Sequence, residues 1–152
     1  MIVSATALFC EDIREEKAGQ HTIVGVLSDN LNLQIQTPAG EPGTQTGVAM
    51  IPKLGIYVRV VIGVDDSASD LTAVLLTPDG TEHMLGSFDP DTITRSQADS
   101  RAKGSPIVGF IFKALMSPFP IPGGGIMSVR IRAGKEDRVI GILNTALIKH
   151  AA

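Results

Sequence analysis

The sequence has few of the residues that usually build a chemical site or a charged binding surface. Its 152 residues include no Trp, one Tyr, one Cys and three His, and only 19% are charged. A single Cys excludes an internal disulfide, and the scattered Cys and His residues show no zinc-ligand spacing. The formal net charge of -3 provides no general field for capturing nucleic acid. We therefore expect no cofactor and no nucleic-acid partner.

Long hydrophobic runs are also absent. The longest, residues 107–116, has ten residues with Lys113 among them, whereas a membrane-spanning helix needs about 20. The N-terminus lacks a basic region and places Phe9 where a signal peptide ending at Cys10 needs a small residue. We expect no membrane partner, no signal peptide, and a cytoplasmic location, or a virion location if the protein is phage-derived.

What the sequence does contain is apolar residues, 43% of the chain, in a pattern with a period of two. This period is typical of β-strands with one buried face. Residues 54–63 place Tyr57 and Arg59 on the outer face, and residues 127–133 do the same with Arg130 and Arg132. A third buried face is formed by Val3, Ala5, Ala7 and Phe9. The third strand is expected to end in a charged turn at residues 11–17.

Six further segments predict strands, although their two faces differ less clearly. They are residues 22–28, 31–36, 71–77, 82–88, 107–116 and 139–148. About eight or nine short strands with turn signals between them predict an all-β fold, an immunoglobulin-like antiparallel β-sandwich that forms a single domain over residues 1–152.

Two stretches interrupt this rhythm and are predicted to be long loops. Residues 37–47 are rich in Gly and Pro. Residues 89–106 are polar and have room for a short helix, since Thr94 and Gln97 show capping-box spacing and Gly104 follows. This helix is expected to have no apolar face to bury.

Aspartates cluster in several of the predicted loops, which suggests a calcium site if the loops meet. Calcium takes six to eight oxygen ligands, usually from loops. The candidate metal ligands are Asp65, Asp66, Asp70, Asp89 and Asp91. The alternative is that these residues serve as ordinary turn formers.

Two other side-chain groupings depend on how the strands pair. Cys10 and His21 would form a Cys–His dyad if they faced each other across a hairpin; the alternative is a buried structural cysteine. Arg59, Arg130 and Arg132 would form a basic stripe if their strands were neighbours.

The most unusual segment is residues 106–127, which we call the arm. It carries three of the six aromatic residues and alternating prolines, which stiffen the chain and withhold backbone donors. The candidate partner-binding residues are Pro118, Phe119, Pro120, Ile121 and Pro122. Phe119 and Ile121 form either an exposed apolar ridge for a partner or a plug that closes one end of the sandwich.

Several short motifs of the first half occur together. They are residues 7–12 (ALFCED), Gly19, residues 22–27 (TIVGVL), residues 52–54 (PKL) and residues 76–80 (LTPDG). On these motifs the chain resembles an uncharacterised family of short bacterial proteins, with an N-terminal strand ending in Cys-Asp or Cys-Glu and a later Pro-Asp-Gly turn. The resemblance implies an immunoglobulin-like sandwich with no assigned activity and transfers no catalytic residue.

These patterns predict a non-enzymatic protein-interaction or assembly module. It would act through the arm or through an exposed strand edge, with a partner protein or by self-association. By analogy of fold, a structural component of a phage or phage-like particle is a natural setting. The alternatives are a ligand- or calcium-binding module that uses the aspartate loops, and a hydrolytic enzyme with an unrecognised site.

Overall fold

A computed structural model describes residues 2–35 and 48–149. The predicted loop at residues 37–47 lies outside the described residues. The described part contains one 3-10 turn, one α-helix and eleven strands. The strands are β1 (Ile2–Glu15), β2 (His21–Val26), β3 (Asn30–Ile35), β4 (Val48–Ile51), β5 (Leu54–Gly63), β6 (Leu71–Leu76), β7 (Glu82–Phe88), β8 (Ile107–Met116), β9 (Phe119–Pro122), β10 (Gly125–Ala133) and β11 (Glu136–Lys149). The helix, α1, spans Pro90–Ala102, and the 3-10 turn spans Lys17–Gly19.

The strands form a β-sandwich, as the period-two pattern predicted. One sheet has the order β2-β1-β5-β8 and the other has the order β3-β11-β10-β6-β7. All nine predicted strands are present. The two additional strands, β4 and β9, pair with each other in a small third sheet. The sandwich is not wholly antiparallel, because β3 and β11 run parallel.

The core lies between the two large sheets and is built by the alternation that the sequence displays. All five inward-facing aliphatic side chains of β5 are buried, and so are Met127, Val129 and Ile131 of β10. From the facing edge strands, Phe88 of β7 packs its ring 5.0 Å from the rings of both Phe110 and Phe112 of β8. Burial of apolar area on this scale is the main force that holds the sheets together.

Strand β1 differs from the prediction at both ends. Val3 is exposed, because a register irregularity between Ile2 and Ser4 rotates its side chain out of the inward row. The charged segment does not begin a turn at residue 11. It continues as strand to Glu15 and pairs with β2. Charges are tolerated here because this part of the hairpin extends beyond the buried sheet, so alternate side chains remain in water.

The predicted loop at residues 89–106 contains α1, a helix that is anchored by polar as well as apolar contacts. Asp89 caps it by accepting a hydrogen bond from the Thr92 backbone at 2.7 Å, so Thr94 is not the cap. The expectation that the helix buries no face was wrong. Ile93 and, one turn later, Gln97 are both buried, and the Gln97 amide donates to the carbonyls of Gly63 and Asp66 at 3.0 and 2.9 Å. Gly104 follows the helix with φ +76°.

The small third sheet places the tip of the arm inside the molecule. Phe119 and Ile121 pair with Ile51 and Ala49, and all four side chains are buried. The prolines suit this position, because a two-stranded ribbon has outer edges where no donor is needed. Among the described residues, α1 is the only α-helix, and no helix is long and apolar enough to cross a membrane.

Candidate edge-strand interface

Strand β8 forms one edge of its sheet, and its free side is the candidate site. It pairs with β5 over its whole length, from Ile107 opposite Gly63 to Met116 opposite Leu54, with no shift of register. Within the described residues, no other strand pairs with it. An edge strand of ten residues without a bulge or proline is a ready template for the addition of another strand.

One hydrogen bond identifies which backbone groups point away from β5. The Val64 amide donates to the Pro106 carbonyl at 3.1 Å, in the same register that pairs the two strands. In an antiparallel ladder the residues that bond to the partner alternate. The even-numbered residues of β8 therefore bond to β5, and the odd-numbered residues direct their N–H and C=O groups outward.

The contacts of Ile107 agree with this assignment. Its N–H and its carbonyl are both bonded to the Ser105 hydroxyl, at 3.3 and 2.7 Å, so neither group is directed at β5. The backbone groups of Gly109, Ile111, Lys113 and Leu115 consequently form the open edge. No backbone hydrogen bond from outside the β5–β8 ladder reaches these four residues in the described chain.

The side chains of the same residues lie on the outer face of the sheet and are mostly apolar. Ile107, Ile111 and Leu115 are 41%, 38% and 46% exposed. They alternate with Gly109 and Lys113, and Lys113 carries the only charge of the strand. Apolar side chains beside an open backbone edge would lose water on pairing and would add to the stability of the pair.

The other three edges of the two large sheets are less suited to strand addition. Strand β2 has six residues and is interrupted at Gly25, which has φ +65°. Strand β7 pairs irregularly, with a shift of register at Ala73 and Val74 of its neighbour. Strand β3 has six residues and carries asparagines along it. Natural sheets use short, irregular or polar edges to prevent association, and β8 is the edge without these features.

The single charge of β8 is turned back over its own sheet. The Lys113 ammonium contacts the Glu15 carboxylate and lies 3.2 Å from Nε2 of His21. The His21 ring in turn lies 5.8 Å, centre to centre, from the ring of Tyr57. These four residues come from four different strands and meet because the end of the β1–β2 hairpin lies over the outer face. An edge lysine usually blocks pairing by its charge, whereas this ammonium is held over the sheet by a carboxylate of the same chain.

The structure places the arm residues differently from the ridge hypothesis. Phe119 is 4% exposed and Ile121 is fully buried, so they form the plug that was the alternative. Pro118 and Pro120 are exposed beside them, and Pro122 completes β9. Within the arm, β8 is therefore the part that presents exposed apolar side chains beside an open backbone edge. Its outward face was not distinguishable in the sequence, because both faces of residues 107–116 are largely apolar.

The five candidate metal ligands take separate structural roles or remain apart. Asp65 forms an ion pair with Arg101, Asp66 accepts a hydrogen bond from the Gly63 backbone, and Asp89 caps α1. Asp70 and Asp91 are exposed. The described residues contain no group of three or more His, Cys, Asp or Glu that would hold a metal ion.

The Cys–His dyad is not formed. The hairpin register places Cys10 opposite Val26 and His21 opposite Glu15. Cys10 is fully buried. Burial is the main cause that raises the pKa of the Cys10 thiol, and this disfavours the nucleophilic thiolate. Cys10 instead fills space against Gly55, where an added Cβ would lie 2.7 Å from its sulfur.

The predicted basic stripe is also absent, because β5 and β10 belong to different sheets. Arg59 is exposed on the first sheet, and the other two arginines are paired on the second. Arg132 makes two hydrogen bonds to Glu82, and Arg130 bonds Asp137 at 2.9 Å. Paired arginines in an internally neutral network do not form an anion-binding surface.

This network predicts a loss of stability in acid. The Arg132 side chain lowers the pKa of Glu82, and the Arg130 side chain lowers the pKa of Asp137. A carboxylate with a lowered folded pKa stabilises the fold above its unfolded pKa, which is about 4, and this stabilisation is lost as the pH falls through the folded value. The temperature of the thermal midpoint should therefore decrease as the pH is lowered past about 4. In Asp137→Asn the midpoint should depend less steeply on pH. Circular dichroism melts at several pH values test this. An equally steep decline in the variant would contradict the prediction, and high salt should shrink the difference because both groups are exposed.

A cavity lies where the β1–β2 hairpin meets β3 and β4. Its volume is about 500 Å³, and its apolar lining includes Leu27, Leu31 and Ile51. At its rim, Lys53 pairs with Asp12 at 2.9 Å, and this contact is the largest cause that lowers the Asp12 pKa. Glu11 and Arg14 also line the cavity, and Arg14 pairs with the same Asp12. The remaining lining is apolar.

Two comparisons with known proteins found no relative of the chain. No protein-family model matches the chain, and no curated protein matches it significantly.

Proposed function

We propose that this protein is a non-enzymatic assembly module whose copies join through the free edge of β8. The observation that carries the proposal is the ten-residue register of β8 with β5, uninterrupted by a bulge, which leaves the outward groups of four successive odd-numbered residues open. Strand addition at such an edge supplies main-chain hydrogen bonds, and alternate side chains supply selectivity.

The exposed apolar side chains of the edge favour association with another strand. Ile107, Ile111 and Leu115 follow one another along one side of a single strand. A monomeric protein usually protects such an edge with charge, proline or a bulge. A small sandwich that joins by its edges suits the repeated building block of a phage or phage-like particle, and this setting is part of the proposal by analogy of fold.

Light scattering during size-exclusion chromatography, over a range of protein concentrations, tests the proposal. The unmodified chain should show a mass above the 16.0 kDa of one copy, and Ile111→Lys should return it to that mass by placing a charge at the centre of the edge. Met84→Lys is the matched control, because Met84 is 71% exposed on a strand of the other sheet and should leave association unchanged.

Two results would contradict the proposal. One is a mass of a single copy at every concentration. The other is association that persists unchanged in Ile111→Lys but disappears in Met84→Lys, which would assign the interface to the other sheet. Amide hydrogen exchange gives an independent readout, since the amides of Gly109, Ile111 and Lys113 should gain protection with concentration.

A further inference from the structure

We infer that the partner strand is β8 of a second copy, paired antiparallel about a two-fold axis at Ile111. This inference rests on the proposed function and deepens it by giving the direction and the register in which the two strands pair. It extends the four-stranded sheet of one copy into an eight-stranded sheet shared by two.

The direction of the backbone groups allows this pairing. Because the outward groups belong to odd-numbered residues, Ile111 of one copy and the same residue of the other can exchange both hydrogen bonds. Gly109 and Lys113 then pair with each other on each side of the axis. The arrangement satisfies the open groups of all three residues with no change to the β5–β8 ladder.

The side chains favour this register over one centred on Lys113. With the axis at Ile111, each Lys113 stands opposite a Gly109, which has no side chain, so the lysine keeps its contact with Glu15 of its own chain. Ile107 stands opposite Leu115 at both ends, and the two copies of Ile111 meet at the centre. Moving the axis to Lys113 would place two ammonium groups directly opposite each other, and like charges in that position are destabilising.

The glycine has room for the approach of a partner. A Cβ added at Gly109 would have no neighbour closer than 3.9 Å, so its own fold does not require the absence of a side chain. Its φ is also not in the left-handed region. Glycine weakens a strand interior. In the two-fold pairing, its lack of a side chain leaves space for the facing Lys113 of the second copy.

A disulfide across the axis tests the register. The two copies of residue 111 would lie about 5.5 Å apart between Cα atoms, within the range of a disulfide. Ile111→Cys should therefore yield a covalent dimer, twice the 16.0 kDa of one chain, under mild oxidation. Leu115→Cys is the matched control, since it has similar exposure on the same strand. Its two copies would be separated by eight residues, about 27 Å, and should not cross-link.

The outcomes separate the inference from the proposed function. Cross-linking at residue 111 but not at residue 115 supports the two-fold pairing. Association that Ile111→Lys abolishes, together with no cross-link in Ile111→Cys, would overturn the register and leave the assembly function standing. A chain that neither associates nor cross-links would overturn both. The native Cys10 is fully buried, so the unmodified chain provides the baseline without cross-links.

Discussion

Ile121→Ala should lower the free energy of unfolding by about 2–5 kcal/mol, because it removes a fully buried side chain and leaves a cavity. Ile121 lies in β9 opposite Ala49, and the small sheet of β4 and β9 contributes Phe119 and Ile51 to the same core. The side chain packs within the core cluster, whose other members are themselves held in paired strands, so the surroundings can collapse only partly into the space. Urea denaturation should show a lower midpoint with an unchanged dependence on urea concentration.

A control on the same small sheet separates burial from mere position. Met50 stands opposite Pro120 in the β4–β9 pair and is 49% exposed. Met50→Ala should change the free energy of unfolding by only about 0.5 kcal/mol or less. If Ile121→Ala were as mild as Met50→Ala and instead dissolved the assembled state, Ile121 would belong to an exposed ridge and the plug assignment would be wrong.

The parts of the fold that the sequence predicts are those whose burial follows local alternation. The ten residues of β5 and the nine of β10 bury one face against the opposite sheet, so the period of two identifies them directly. The short strands β4 and β9 give no such signal, because four residues are too few to show a period. Helix α1 was obscured for another reason, since it is anchored by one isoleucine and one glutamine rather than by an apolar stripe.

The candidate site was only partly accessible to the same reasoning. The sequence predicts β8 as a strand, but both of its faces are largely apolar, so its outward residues follow only from the structure. That β8 ends a sheet depends on the order of the strands, which long-range packing determines. The same limit explains the arginines. Arg59 and Arg130 both project outward from strands, but only the strand order shows that they lie on opposite sheets.

The second large loss of stability is expected at the contact between the two sheets near β1. Gly141 of β11 lies directly over Ala7 of β1, and a Cβ added there would be 2.9 Å from the Ala7 Cβ and 3.1 Å from its carbonyl oxygen. Neither atom is the end of a flexible side chain. An added methyl group must therefore separate two packed strands, and such overpacking costs about 1–3 kcal/mol.

Gly141→Ala should accordingly lower the free energy of unfolding by about 1–3 kcal/mol, and Ala7→Gly in the same chain should recover part of the loss. Full recovery is not expected, because the Ala7 carbonyl oxygen remains close to the added methyl group. A double-mutant cycle on urea denaturation measures the coupling. The double variant should lose less stability than the sum of the two single variants, by an amount of the order of 0.5–2 kcal/mol. Gly109→Ala is the control, because its added Cβ meets nothing closer than 3.9 Å and should not lower the free energy of unfolding of a single copy. Equal losses from Gly141→Ala alone and from the double variant would show that the two residues do not limit the approach of the sheets, and the origin of the cost would then lie elsewhere in β11.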